Sequence, residues 1–438
     1  MTAEEAKRTL DKIVDDISKN PGNLVRNPGK DFTRDRKLPL KLMLRILIGM
    51  QGGTIWRELN DYDNKINVSS SAFIQQRDKI LPEMLEHIFR QFNQRLDLDR
   101  RYRGYQLLAV DGSTITIAKN KNSETYVPVK DEKLAYNAFH LNAFFDLLNK
   151  NYTDVIITPE PQRHEVKAAI SMIRKLPTQQ KVILLGDRGY GSLNLLEHIH
   201  RKKDLEYLIR VRNSWLTETR DLPMADIDTD IEFELRTTQT KEDRALRKAG
   251  KIKYISAHAK PGQAKMQESW EFESPFRMKL RIVRFMISTG EYETIVTSLN
   301  RNSFPASEIK ALYHLRWGIE TSFRDLKYAV GLTQLHAKKE AAALQEIYAR
   351  LIMYNYSQSI IMDVVIEQKK CTNKWLYRVN TSSAIHLCRQ YYRFHGAGPP
   401  PEIEPMIAQK VEAVRPGRSD RRKKDKQKDF VWFMYRVA

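Results

Sequence analysis

Cysteine is nearly missing from this chain: Cys371 and Cys388 are the two found in 438 residues. That count excludes a disulfide framework and a zinc centre of clustered cysteines, and it favours two unpaired thiols over a single bridge. Long apolar runs are missing as well. No stretch nears the roughly 20 apolar residues of a membrane span. The opening Met1-Thr2-Ala3-Glu4-Glu5-Ala6-Lys7 has acids where a secretion signal has a basic and then an apolar run, so a cytoplasmic protein is expected. No Gly-rich phosphate loop of the nucleotide-binding kind occurs, and no internal repeat.

Negative charge is in short supply. Lys and Arg number 74 against 54 Asp and Glu, a net charge of +20 at pH 7, with a pI near 9.6. Such an excess favours a polyanionic partner, because each phosphate neutralised releases a condensed counterion. A generally basic soluble protein is the plainer alternative. An acidic membrane surface is a weaker one, since no amphipathic anchor or lipidation motif accompanies it. A hydrophobic fraction of 41% and 29% charged residues are those of an ordinary globular protein.

Residues 1–100 read as helical. Leu38 to Met50 is an apolar run with Lys41 and Arg45 four apart on one face, Pro39 in its first turn and Gly52-Gly53 after its end. A periodic stretch from Ala72 to Phe92 follows a serine cap at Ser69–Ser71. Near Tyr105 the pattern changes. Gln106–Ser113 reads as a short apolar strand ending in Asp111 and a turn. Phe139–Leu148 and Tyr152–Thr158 form a hairpin around Asn149-Lys150-Asn151. Helix His164–Arg174, strand Lys181–Asp187, helix Leu193–Arg201 and strand Tyr207–Val211 complete a mixed α/β pattern. Residues 212–290 break into short strand-like runs, Tyr292–Leu299 reads as a strand returning to the main sheet, and a long helix capped by Ser307 extends to Tyr328. Residues 335–390 are mostly helical, led by Glu340–Met362. His395–Pro401 reads as a linker before a tail, Arg415–Lys428, dense in Arg and Lys.

Asp111 and Asp187 each follow an apolar strand. A carboxylate so placed sits on a rigid frame facing a cleft, as a site for hard cations requires; the alternative is that each merely opens a turn. The helix is more specific. Tyr313, Arg316, Glu320 and Lys327 are spaced by three, four and seven residues and share a face, next to a packing face of Leu312, Leu315, Ile319, Phe323 and Leu326. Taken alone, Arg316 and Glu320 are an ordinary i,i+4 ion pair.

Together these blocks resemble the bacterial insertion-sequence transposases of the DDE class, in the branch marked Y-x-x-R-x-x-x-E-x-x-x-x-x-x-K. Leu312–Lys327 matches that motif, Ala109–Ser113 is similar to the first-aspartate block, and Leu185–Tyr190 to the second. The resemblance spans about residues 30–435. It implies a mixed α/β fold: an RNase H-like core in two parts (101–211 and 291–334), interrupted by a β-rich insertion (212–290). A helical DNA-binding region (1–100), a helical C-terminal region (335–398) and a linker with basic tail (399–438) flank it. The resemblance further implies a catalytic and metal-binding triad of Asp111, Asp187 and Glu320. Two Mg2+ ions, with Mn2+ as substitute, would serve hydrolysis and strand transfer at transposon ends. The implied partners are double-stranded DNA, as transposon ends and target, and a second protomer joined through residues 335–390. The implied setting is a bacterial cytoplasm, at the nucleoid.

Around that triad the roles stay divided. Tyr313, Arg316 and Lys327 are expected to contact phosphates, with a core role for Tyr313 as the alternative. Trp317 either packs in the core, the favoured reading, or stacks on a displaced base. Arg188 and Arg210 serve phosphate or are simple charge partners. His164-Glu165 opens a helix and is read as structural or a cap in preference to a further metal pair, and His140 as a strand residue in preference to a ligand. Arg34, Arg36, Lys37 and Lys41 contact the DNA backbone or solvate an oligomerisation helix. Competing functions are a structure-selective nuclease on the same core and an inactive DNA-binding descendant of a transposase.

Overall fold

A computed structural model describes residues 1–34, 36–62, 66–258, 269–288, 290–366, 376–395 and 400–414. Cys371, residues 396–399 of the expected linker and the basic tail Arg415–Lys428 lie outside the described residues. The chain opens with α1 (Ala3–Lys19), α2 (Leu40–Gly49), α3 (Ile55–Tyr62), α4 (Ser70–Arg77) and α5 (Pro82–Asn93). Strands β1 (Gln106–Ile117), β2 (Tyr126–Val127), β3 (Tyr136–Asp146) and β4 (Asn151–Pro159) follow. Then come α6 (Glu165–Lys175), β5 (Val182–Gly186), α7 (Leu193–His200) and β6 (Leu205–Val211). The next stretch holds α8 (Thr217–Arg220), β7 (Ile227–Arg236), α9 (Lys241–Lys248), β8 (Ile252–Tyr254), β9 (Phe276–Ser288) and β10 (Glu291–Thr297). Helices α10 (Ala306–Leu315), α11 (Trp317–Tyr328) and α12 (Glu340–Ile361) come next. Strand β11 (Leu376–Val379), α13 (Thr381–Arg393), α14 (Ile403–Gln409) and β12 (Val411–Val414) close the described chain.

Ten strands make one sheet in the order β4-β3-β1-β5-β6-β10-β9-β7-β8, with β2 on the end of β3. The strands β1, β3 and β4 are mutually antiparallel, while β5 and β6 run parallel to β1. Three antiparallel strands followed by two parallel ones reached through helical crossovers form the RNase H-like core, within a mixed α/β protein. All five residues of β5 are buried and four are branched aliphatics, as a strand covered on both faces requires. Alternation along β1 sends Leu108 and Val110 towards α6 and α7, and Leu107 and Ala109 towards the face covered by α11 and α12.

The stretch after β6 does not form a separate module. Strand β10 pairs with β6, and β9, β7 and β8 continue the same sheet outwards. Three expected boundaries also move. Strand β1 does not stop at Asp111 but runs to Ile117, because β3 pairs with it over its whole second half, from Asp111↔Ala143 to Ile117↔Asn137. The Ala72–Phe92 periodicity is divided between α4, which Ser69 caps through Ala72 N, and α5, which restarts at Pro82. Proline has no N–H to continue the first helix and suits a first turn. The long helix towards Tyr328 is two helices, α10 and α11. At their junction Arg316 N donates to Tyr313 O and Ile319 N to Arg316 O, both at 3.1 Å, which is the tighter i→i−3 pattern.

Helices from the two ends of the chain share one core. In α12, 18 of 22 residues are buried, and it packs against α1, α2, α5 and α13. A helix buried on all sides is an internal one. Several charges inside this layer are paired. The Arg77 guanidinium meets Glu346 at 2.8 Å and Gln345 Oε1 at 2.7 Å, and the backbone N–H of His336 donates to Glu346 at 2.7 Å. Arg350 donates to the carbonyls of Met50 and Gln51, and Arg393 to Glu58. Burial alone would raise the pKa of Glu346, yet Arg77 and His336 hold it well below the usual carboxylate range.

Breaking one partner of a buried pair leaves the other charge uncompensated, which costs about 3–5 kcal/mol. Arg77→Ala should therefore destabilise the chain by about that amount in equilibrium urea unfolding. A loss no larger than that of an exposed ion pair would contradict the clamp.

Candidate active site

Parallel pairing of β1 with β5 sets the geometry. The register runs Gln106↔Val182 to Val110↔Gly186, where β5 ends. Asp111 and Asp187 are the next residue on each chain, so two carboxylates leave neighbouring strands side by side, on strands about 4.8 Å apart. Side-chain alternation sends Asp111 to the same face as Leu107 and Ala109, the face on which α11 lies against β1. Asp187 caps the turn that follows it, accepting from Gly189 N at 2.7 Å.

Burial pushes the Asp111 carboxyl up to about 7, and the charges of Asp187 and Glu320 push in the same direction against Arg316 and the Gly112 N–H. The three acids therefore act on one another electrostatically. As they stand, however, no three His, Cys, Asp or Glu side chains among the described residues already converge as a ready cation site. The Glu320 carboxylate is drawn instead to Arg316, at 2.8 Å.

Tyr313 and Arg316 are buried, each 2% exposed, whereas Glu320 and Lys327 are half-buried. The tight turn at the α10–α11 junction shifts the phase between them, so the four do not share one continuous exposed stripe. The Arg316 guanidinium lies over the Tyr313 and Trp317 rings, 5.7 and 4.9 Å from their centroids, and its Nε and the Tyr313 hydroxyl have no hydrogen-bond partner among the described residues. Burial pushes Tyr313 up to about 12 and lowers Lys327. Two assignments to the apolar face fail. Leu315 is 40% exposed and Trp317 39%, so Trp317 is not a core residue and presents part of its ring at the surface. Gly318 is needed here: a Cβ on it would lie 2.9 Å from Leu147 in the β3–β4 turn.

Arg188 is exposed beside Asp187 and forms no ion pair among the described residues. Arg210 is a charge partner, held by Glu293 of β10 at 2.8 Å. His164 caps α6, its Nδ1 accepting from Lys167 N. His140 is a buried strand residue, and its ring is gripped by Glu160 at 3.2 Å and Glu165 at 3.3 Å. Sequence reasoning weighed His164-Glu165 as a metal pair and set it aside, and it did not place Glu165 beside the aspartates. Its spacing shows only a first-turn helix acid, and the contact with β1 comes from folding. Arg34 and Arg36 line a basic concavity of about 470 Å3 with Lys30 and Lys79, Lys37 donates to the Asn67 carbonyl, and Lys41 pairs with Asp15 of α1.

The sequence profile described as the Transposase DDE domain matches residues 102–356, a span that contains both aspartates and Glu320. The chain belongs to the DDE-domain transposase family. Family members of known sequence include the transposase of insertion sequence element IS421 from Escherichia coli and the InsL protein of insertion sequence element IS186A from Escherichia coli K12. Each is 27% identical over 180 residues, which are 39% of this chain and 48% of the relative. The chain thus spans about half the length of these curated relatives. A cryo-EM structure of a piggyBac transposase synaptic complex with hairpin DNA aligns with 96% of this chain and 87% of its own, at 10% identity and a TM-score of 0.46. That likeness is too slight to add to the strand order. Among the described residues no helix is long and apolar enough to cross a membrane.

The family's divalent cation fits this donor set. Two hard carboxylates stand side by side, one of them so poorly solvated that it holds its proton towards neutrality, and a cation would relieve that cost. The same shift has a sign in stability. An acid with a raised folded pKa contributes fully below its ordinary value of 3.8, and the contribution fades as pH climbs to about 7. In chelator, Asp111→Asn should therefore lessen the stability lost between about pH 4 and pH 8, leaving the variant more stable at the upper end by a few kcal/mol, in order of magnitude. Urea unfolding across that range checks it. Parallel pH profiles for the two proteins would contradict the burial of this acid.

Proposed function

We propose that the chain is a DNA transposase that hydrolyses phosphodiester bonds at the ends of an insertion sequence and joins the freed ends to target DNA. The observation that carries this is the β1–β5 register, which sets Asp111 beside Asp187, with the charge of Glu320 on α11 also bearing on Asp111. The insertion-sequence relatives support it, as does the net charge of +20.

Asp111, Asp187 and Glu320 would hold two Mg2+ ions, or Mn2+ in their place. When bound, such ions neutralise charge on the scissile phosphate and activate the attacking water or 3′-hydroxyl. The protein supplies the frame. Arg316 and Glu320 neutralise each other in the free chain. On DNA the guanidinium turns to a phosphate, which it can grip bidentately, and the carboxylate is released to the cleft. Lys327 adds a point charge whose desolvation is relieved by a phosphate, Tyr313 offers its unpartnered hydroxyl, and the half-exposed Trp317 ring stacks on a base. Arg188 meets the backbone beside Asp187. Arg210 acts through its bridge to Glu293, which holds the β6–β10 edge. Transposon-end and target DNA, and a second protomer to bring two ends together, are the partners, in a bacterial cytoplasm at the nucleoid.

Asp111→Ala, Asp187→Ala and Glu320→Ala should each lower cleavage of end-containing DNA by at least about 100-fold with Mg2+, since even supporting residues of metal sites cost up to that much. Retention in a gel-shift assay should be largely unchanged. Paired excision with strand joining by the native chain supports the transposase; cutting without joining indicates a nuclease, and a shift without cutting a binder. Near-native cleavage by any of the three variants removes that residue from the set.

A further inference from the structure

On the face of β1 opposite Asp111, the chain has built a close approach that the three-acid site does not explain. A Cβ on Gly112 would lie 2.3 Å from His140 Nε2 and 2.9 Å from Glu165 Oε1, so glycine at 112 leaves the room these two side chains occupy against the strand. The other oxygen, Glu165 Oε2, points towards the turn after β5. The position that a Cβ would take on Gly189 is 3.4 Å from Glu165 Oε2 and 3.0 Å from Asp187 Oδ1. Glu165 and Asp187 therefore flank one and the same point.

One buried polar atom at this place is unsatisfied. Tyr190 is wholly buried, and its hydroxyl has no hydrogen-bond partner among the described residues, although the charges of Glu165, Asp111 and Asp187 all bear on it. Orphaned buried polar groups carry a desolvation cost that a native fold seldom leaves without a reason. Glu165 is meanwhile held in place and in its charged form. His140, braced from behind by Glu160, fixes one oxygen, and Arg163 Nε stands 3.6 Å away.

We propose that Glu165 is a further carboxylate of the active site, supplying an oxygen to the divalent cation held at Asp187. The inference rests on the metal-dependent reading above and extends it: carboxylates then reach the strand ends from α11 on one face of the sheet and from α6 on the other. Glycine at 112 and the His140–Glu160 brace are the devices that let α6 deliver its acid.

Mn2+ binding to the full chain without DNA, followed by isothermal titration calorimetry and by the spin-resonance signal of bound Mn2+, tests this apart from activity. Glu165→Gln, nearly isosteric, should weaken Mn2+ by about tenfold or more, or remove one ion from the stoichiometry, and alter the signal. Glu165→Asp, which keeps the charge and shortens the reach, should also weaken it, and it stands in if the first variant fails to fold. Native affinity, stoichiometry and signal in the folded Glu165 variant, with Asp187→Asn impaired, would overturn the inference and leave the transposase reading intact. If Asp111→Asn and Asp187→Asn also bind Mn2+ as the native chain does, the metal reading falls together with it.

Discussion

Everything chemical in this chain depends on one backbone constraint, the parallel pairing of β1 with β5. Because Val110 faces Gly186 and β5 stops there, the next residues on both chains are carboxylates that cannot move apart without breaking a ladder buried on both faces. Side-chain contacts alone would let two like charges separate. A sheet does not: burial pushes the Asp111 carboxyl up to about 7, and the Asp187 charge adds to that shift. The fold spends some of its marginal stability to keep an acidic pair poorly solvated at the end of a strand.

Around that pair, each remaining charge is placed to limit the cost without removing it. Arg316 takes Glu320, His140 takes Glu165, and Asp187 accepts from the backbone of its own turn. None of these partners neutralises Asp111 directly. The result is a site whose acids are individually tolerated and collectively unsatisfied, a state that a small hard cation with oxygen preference would resolve.

Much of this was legible in the residues. Five apolar residues before Asp187, and the hairpin signal at Asn149-Lys150-Asn151, led to the right strands, because burial and turn chemistry are local properties. The spacing of Tyr313, Arg316 and Glu320 led to the right element. What periodicity could not show was set by tertiary contact. Strand β1 continues through Asp111 because β3 is there to pair with it, a partner about 30 residues on. The α10–α11 junction tightens where Gly318 seats against Leu147, which breaks the ideal phase on which the single-face argument relied. Trp317 carries no local mark of its partial exposure. Glu165 looks like any acid in a first helical turn, and only the approach of α6 to Gly112 gives it a place beside the aspartates.

The insertion raises a different mechanical point. Had it been a separate β module on two linkers, it could swing as a body when DNA arrives. Instead β9 is paired on both sides, by β10 and by β7, and β10 is itself paired with β6 of the core. Arg284 is buried within this extension and donates to the Thr219, Leu222 and Pro223 carbonyls, while Arg281 bridges Asp228 and the Leu299 and Phe304 carbonyls at the far end. Moving the insertion would strip Arg281 of the Leu299 and Phe304 carbonyls and Arg284 of the Thr294 hydroxyl, leaving buried guanidinium groups short of partners. The extension is therefore part of the same rigid ladder, and the Arg210–Glu293 bridge between β6 and β10 is carried by the sheet that holds Asp111 beside Asp187.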